Sequence, residues 1–167
     1  MDPTIFGYTT CGSPLVLFKS GYSLFSNFNP KTPFTYEGVN YRCVEQYYQA
    51  SKASHFKDHD TWKKVMAARS PKQMKELGNS VVGYDYEKWE NECLLVMKRG
   101  VREKMLQNPE AKKLLLLTKS AQIVEASRFD GYWSIGVDIE DHGVWNTNNW
   151  VGDNHMGKIL MEVRDNL

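Results

Sequence analysis

The stretch VEQYYQASKASHF (44–56) sets a carboxylate, Glu45, among aromatic and small residues at helical spacing. Positions three and four apart share a helix face, so Glu45, Tyr48, Gln49 and Lys52 lie together within two turns. That face can offer one ligand a carboxylate, a phenol, an amide and an ammonium. The plainer reading of Glu45 is an acidic residue favoured by the dipole at a helix start. Two other segments mix polar groups with rings. In FSNF (25–28) the Asn27 amide can sit over a ring-bounded pocket, or simply pin an Asx-type turn. In SRFDGYWSIG (127–136) Asp130 is flanked by Phe129, Tyr132 and Trp133, either as a polar hook in an aromatic wall or as an Asp-Gly turn. Asn154 and Gly157 stand where the last helix begins, a position suited to an anion or a ribose.

Other chemistries find little support. His55 and His59 have the i, i+4 spacing of zinc ligands, but no glutamate follows His55, and His142 and His155 show no ligand spacing. No metal site is expected. The chain has no phosphate-cradling GxxxxGK[ST], no GxGxxG after a strand and no GxSxG elbow. Cys11, Cys43 and Cys93 are odd in number and widely spaced, which argues against disulfides and for a reducing, cytoplasmic setting. Cys43 has no histidine nearby in sequence and reads as a buried thiol. With 21 basic and 20 acidic side chains the net charge is +1, too balanced for a protein that grips nucleic acid mainly through phosphates. The N-terminus lacks the pattern of a signal peptide, and the longest aliphatic run, Leu114 to Leu117, is far too short to span a membrane.

The elements that must position these residues follow from punctuation and period. Residues 1–14, with Pro3, Gly7, Gly12 and Pro14, read as an irregular arm ahead of one domain, 15–167. LVLFKS (15–20) and QIVEAS (122–127) are strand candidates, and FTYEGVNYR (34–42) reads as a hairpin turning at Glu37-Gly38. Helices are expected over 44–56, over 60–68 with Asp58 or Asp60 as cap, and from Ser70-Pro71 to Leu77, where Gly78 ends the run. A long helix over 85–107 buries Trp89, Cys93, Met97, Val101 and Met105 at i+4 spacing. Asn108-Pro109 breaks it and leads into 111–117, and the last helix covers 155–165. The fold class is α+β, mainly helical, with a few short antiparallel strands.

In this order the motifs resemble the NADAR superfamily of YbiA-like N-glycosidases. The similarity runs from about Tyr22 to Arg164 and rests on FSNF, VEQYYQASK, the tryptophan of EKWE (87–90), MKRGVREKMLQNPEAKKLLLLT (97–118), IVEASRFDGYW and GDNHMGKILMEVR. The resemblance implies a small α+β domain that hydrolyses N-glycosidic bonds with neither metal nor organic cofactor. It implies as substrate an ADP-ribosyl or phosphoribosyl adduct of a base: ADP-ribosylated guanine in nucleic acid, or phosphoribosylated pyrimidine intermediates of riboflavin synthesis. It makes Glu45 the catalytic carboxylate and Trp89 and Asp130 pocket residues, with Asn27, Phe28, Trp133 and Asn154 as weaker carry-overs. A cytoplasmic monomer without membrane association is expected. The chain departs from the family pattern at Trp133-Ser134, where a tryptophan-glycine is common and a longer connection follows. It departs again at Gly78-Asn79, where a glycine-arginine is frequent and the arginine would suit a phosphate.

Breaking a ribosyl C–N bond builds positive charge on the sugar, which a nearby carboxylate stabilises while acting as nucleophile or orienting water. Asp130 would hold a ribose hydroxyl or serve as second carboxylate. A gap of about 5–5.5 Å between the two would favour a covalent intermediate, and roughly 6.5–9.5 Å would leave room for water. Trp89 either stacks on the leaving base or packs in the core. A non-catalytic reader of ADP-ribose, needing Asn27, Asp130 and the rings but not Glu45, is the alternative, as is a protein that keeps only the scaffold.

Overall fold

The computed structural model describes residues 2–19 and 21–167. In chain order the elements are strands β1 (Ile5–Tyr8), β2 (Pro14–Phe18), β3 (Phe34–Tyr36) and β4 (Val39–Tyr41), then helices α1 (Val44–His55), α2 (His59–Ala67), α3 (Pro71–Gly78), α4 (Tyr86–Gln107) and α5 (Pro109–Leu117). Strand β5 (Gln122–Glu125), two short 3-10 turns (His142–Trp145 and Thr147–Asn149) and helix α6 (His155–Asp165) complete the chain. The class is the mainly helical α+β one expected. Contacts group the elements into two compact units, Asn27–Asn108 and the combination of Met1–Ser26 with Pro109–Leu167.

The unit Asn27–Asn108 is built around α1, which packs on α2, α3 and α4. Helices α2, α3 and α4 start where side-chain acceptors meet the free amides of a first turn. Asp58 accepts from the Thr61 amide at 3.0 Å, Ser70 from Gln73 at 3.2 Å and Asp85 from Lys88 at 3.2 Å. Backbone amides of Thr61 and Val82 pull the Asp58 carboxyl down to about 2. The i+4 stripe of α4 from Trp89 to Met105 is buried throughout. Strands β3 and β4 pair antiparallel around Glu37 and Gly38, both left-handed (φ 49° and 77°), the geometry of a two-residue hairpin turn.

In the other unit the sheet order is β1-β2-β5. Two expectations need correction here. The N-terminal arm is not irregular throughout, because Ile5–Tyr8 pairs antiparallel with β2. The strands are not all antiparallel either, because β2 and β5 run parallel. The strand read at 15–20 ends at Phe18, and Ser20, like Met1, lies outside the described residues. Central β2 is buried from Leu15 to Phe18. Leu15 and Leu17 share a core with Val124, Ala126, Ile135 and Val144, so the longer connection after Trp133 contributes packing. Helix α6 lies against β5. Among the described residues no helix is long and apolar enough to cross a membrane.

Candidate active site

Helix α1 buries nearly its whole circumference, including Glu45 (5% exposed), Gln46, Gln49 and Lys52. Buried polar groups are normally satisfied, so each one's partner tells its purpose. Gln46 is fully used. Its oxygen accepts from the Arg42 amide at 2.8 Å, and its NH2 donates to the carbonyls of Val65 and Met66, tying α1 to the end of α2. Glu45 lies in the first turn, where the helix dipole favours it, but it is not the cap. The helix is capped by Cys43 without a side-chain hydrogen bond, and the Glu45 amide donates to the Asn27 carbonyl at 3.1 Å.

The Glu45 carboxylate accepts from Gln49 Nε2 at 2.7 Å. A carboxylate can only accept, so Gln49 must turn its NH2 to Glu45 and its oxygen away. That oxygen, Oε1, is buried with no hydrogen-bond partner among the described residues. Gly78 lies directly against it, and a Cβ there would collide with the Gln49 amide. Helix α3 ends at Gly78 as expected, with Asn79 as cap, and the missing side chain of Gly78 also makes room for Gln49.

Asn27 holds no Asx turn. Its Nδ2 reaches Met97 Sδ at 3.3 Å, while its Oδ1 is buried with no hydrogen-bond partner among the described residues. Phe28 is half-buried, with Lys75 Nζ 6.0 Å from its ring centre. Lys52 is 7% exposed, and its ammonium makes no hydrogen bond or ion pair among the described residues; Nζ lies 5.5 Å from the Tyr84 ring centre. Burial pulls its pKa down, Glu45 pulls it back up, and Lys75 adds to the lowering. Trp89 is buried, its indole N–H donating to the Tyr48 hydroxyl at 2.9 Å, with the two rings edge to face at 5.3 Å. It is packed as a core residue on that side. Cys43 is buried beside Met74 Sδ at 3.8 Å, and burial pushes its thiol up to about 11, which suits no nucleophile.

In the other unit, Asp130 Oδ1 accepts from the amides of Tyr132 (3.0 Å) and Trp133 (2.8 Å), the turn anticipated as its plainer role. Oδ2 makes no hydrogen bond among the described residues. Trp133 is half-buried and edge to face with Tyr132 at 4.9 Å. Asn154 corrects the expectation of a ribose or anion contact. Its Oδ1 accepts from the Glu125 amide at 3.1 Å and its Nδ2 donates to the Ile123 carbonyl at 3.0 Å, so the amide is spent on β5. Gly157, next on that face, lets α6 approach the Ile123 carbonyl, where a Cβ would clash.

The structure thus gathers Asn27, Phe28, Glu45, Tyr48, Gln49, Lys52 and Trp89 in one unit, and Asp130, Trp133 and Asn154 in the other. Gly78 escaped the sequence reading as a site-shaping residue; a glycine in the last turn of a helix looks the same whether it stops the helix or admits a neighbour. Among the described residues no group of three or more His, Cys, Asp or Glu could hold a metal ion.

A family profile described as NADAR domain matches residues 17–167, and the chain belongs to that family. It is 34% identical over 151 residues to an N-glycosidase of Acanthamoeba polyphaga mimivirus, covering 88% of this chain and 89% of the relative. It is 31% identical over 167 residues to Protein irg-1 of Caenorhabditis elegans, covering 91% and 79%. The NMR structure of the Escherichia coli protein YbiA superposes with a TM-score of 0.74 at 29% identity, covering 91% of this chain and 83% of that one. The N-glycosidase YbiA of Escherichia coli K12 is 32% identical over 146 residues, covering 87% of this chain and 82% of that protein.

Proposed function

We propose that this protein hydrolyses the bond between C1 of a phosphorylated ribosyl group and a nitrogen of a base, with Glu45 as the carboxylate that meets the developing sugar cation. Family membership and relatives named as N-glycosidases make the chain an N-glycosidase; the substrate and the residue roles are what is proposed. One observation carries the reading. Glu45 is a buried carboxylate held by Gln49, and near it two amide oxygens and the Lys52 ammonium have no hydrogen-bond partner among the described residues. Buried polar groups left open cost stability, so a ligand that completes them repays that cost.

The ligand this set completes has hydroxyl donors for Gln49 Oε1 and Asn27 Oδ1, and an anionic group for Lys52. A phosphorylated ribose has both. Glu45 then faces the anomeric carbon, where it stabilises positive charge and either attacks or directs water. Both ADP-ribosylated guanine in nucleic acid and phosphoribosylated pyrimidines carry these features.

The test incubates the protein with an ADP-ribosylated guanine oligonucleotide and, separately, with phosphoribosylated pyrimidines, and measures the released base. Release from one of them, lost in a folded Glu45→Gln variant, supports the proposal. Full activity in that variant rejects the role of Glu45. Binding of ADP-ribose without turnover of any candidate favours the reader instead.

A further inference from the structure

On the side of α1 away from Glu45 and Gln49, the unit Asn27–Asn108 holds a concavity of about 370 Å³. It lies within the size range of small-molecule sites. Tyr36, Tyr47, Trp62 and Trp89 are among its ring walls, Ser51, Ser54 and His55 of α1 line it, and Arg99 of α4 and Glu37 add charge. A packed core would fill such a space, but α1 turns two small hydroxyl residues toward it. Among the described residues neither serine hydroxyl nor the Trp62 indole N–H has a hydrogen-bond partner. The Arg99 guanidinium is held in place, 5.6 Å from the Tyr36 ring centre and hydrogen-bonded to Tyr47. One such bond leaves most of its five N–H donors open. The neighbouring carboxylate of Glu37 is engaged by the Tyr36 hydroxyl.

Half-buried rings offer a flat group a stacking surface, open hydroxyls and an indole N–H can read its polar edge, and a fixed guanidinium can take an anion attached to it. We propose that this cleft binds a nucleotide, with the base against Tyr36 and Trp62, its edge at Ser51 and Ser54, and a phosphate at Arg99. Glu45, Gln49 and Lys52 do not line the site, which shares only Trp89 with the residues gathered around Glu45 and does not depend on the chemistry assigned there. A free mononucleotide and a base within a single strand share this chemistry.

The experiment uses the full chain carrying Glu45→Gln, so that turnover cannot consume the probe. Tryptophan fluorescence is followed during titration with AMP and with a single-stranded DNA of roughly six nucleotides. Saturable quenching is expected, weakened about fivefold or more by Arg99→Ala and abolished by the space-filling Ser51→Phe. AMP is itself a phosphorylated ribose, so any binding at the Glu45 face is removed in the Lys52→Ala background, where the Arg99-dependent quenching should remain unaltered. Thermal melting shows that each variant is folded, and Ser51→Ala serves as a second, non-disruptive variant, expected to weaken binding modestly. Tighter binding of the strand than of AMP assigns the site to nucleic acid, and the reverse assigns it to free nucleotide. No binding of either probe at millimolar concentration, or binding unchanged by both Arg99→Ala and Ser51→Phe, overturns the proposal. So does quenching that disappears with Lys52→Ala alone, which would place the probe at the Glu45 face.

Discussion

Two of the side-chain amides that sit beside a glycine at a close approach are used in opposite ways. Asn154, with Gly157, clips the start of α6 to β5, and both ends of its amide are spent on strand backbone. Gln49, with Gly78, gives its NH2 to Glu45 and leaves its oxygen buried and open. By motif both looked like ligand contacts. The accounting of donors and acceptors separates them: a saturated amide holds the fold, and an unsaturated one next to a carboxylate suits the substrate contact proposed for it.

The largest effect that sharpens this contrast is on chemistry. Glu45→Gln keeps the shape of α1 and should lower kcat about 10³-fold on the true substrate, with a melting temperature close to that of the parent. Next come the changes to the clip. Gly157→Ala drives a methyl into the rigid Ile123 carbonyl and should cost about 3 kcal/mol in urea unfolding, whereas Gly78→Ala meets a movable side chain and should cost about 1 kcal/mol. Asn154→Ala leaves the Glu125 amide and the Ile123 carbonyl unpaired and should cost about 2 kcal/mol, with kcat per folded molecule unchanged. A fall in kcat for Asn154→Ala, without a fall in stability, would undo the comparison.

Gln49→Met removes an orphaned oxygen along with a useful donor. It should cost less than about 1 kcal/mol in stability yet reduce kcat/KM about tenfold. The smallest effect is a pH dependence. The Lys52 pKa is lowered in the folded chain from 10.5, chiefly by burial, so the unfolded chain holds that proton more tightly. Stability is therefore penalised below the folded pKa and recovers as pH rises toward 10.5. Urea unfolding of Lys52→Met should lack that recovery. An identical pH profile in the two proteins would show that the ammonium is not held in a desolvated place.

The local parts of this fold were legible in the sequence. Asp58, Ser70 and Asp85 cap helices through their own side chains, and the α4 stripe repeats every four residues, so both signals lie within a few positions. The Glu37-Gly38 turn is equally local. Strand β1 was hidden because Ile5, Phe6 and Tyr8 are exposed on a sheet edge among glycines and prolines, and only pairing with β2 makes them a strand. The parallel β2–β5 pairing joins segments more than a hundred residues apart, as Leu15↔Gln122 shows, and no local pattern encodes it. At the site, the shared face of Glu45, Tyr48, Gln49 and Lys52 followed from helical period. The open oxygen of Gln49 and the saturation of Asn154 did not, because both depend on groups remote in the chain.

The central claim is tested most directly by a structure of the folded Glu45→Gln protein bound to an intact ribosyl-base substrate. The account predicts the side chain at position 45 within about 3–3.5 Å of the anomeric carbon, with Gln49 Oε1 accepting from a sugar hydroxyl. A ribose bound with its anomeric carbon far from position 45, and Gln49 Oε1 still unpartnered, would contradict it.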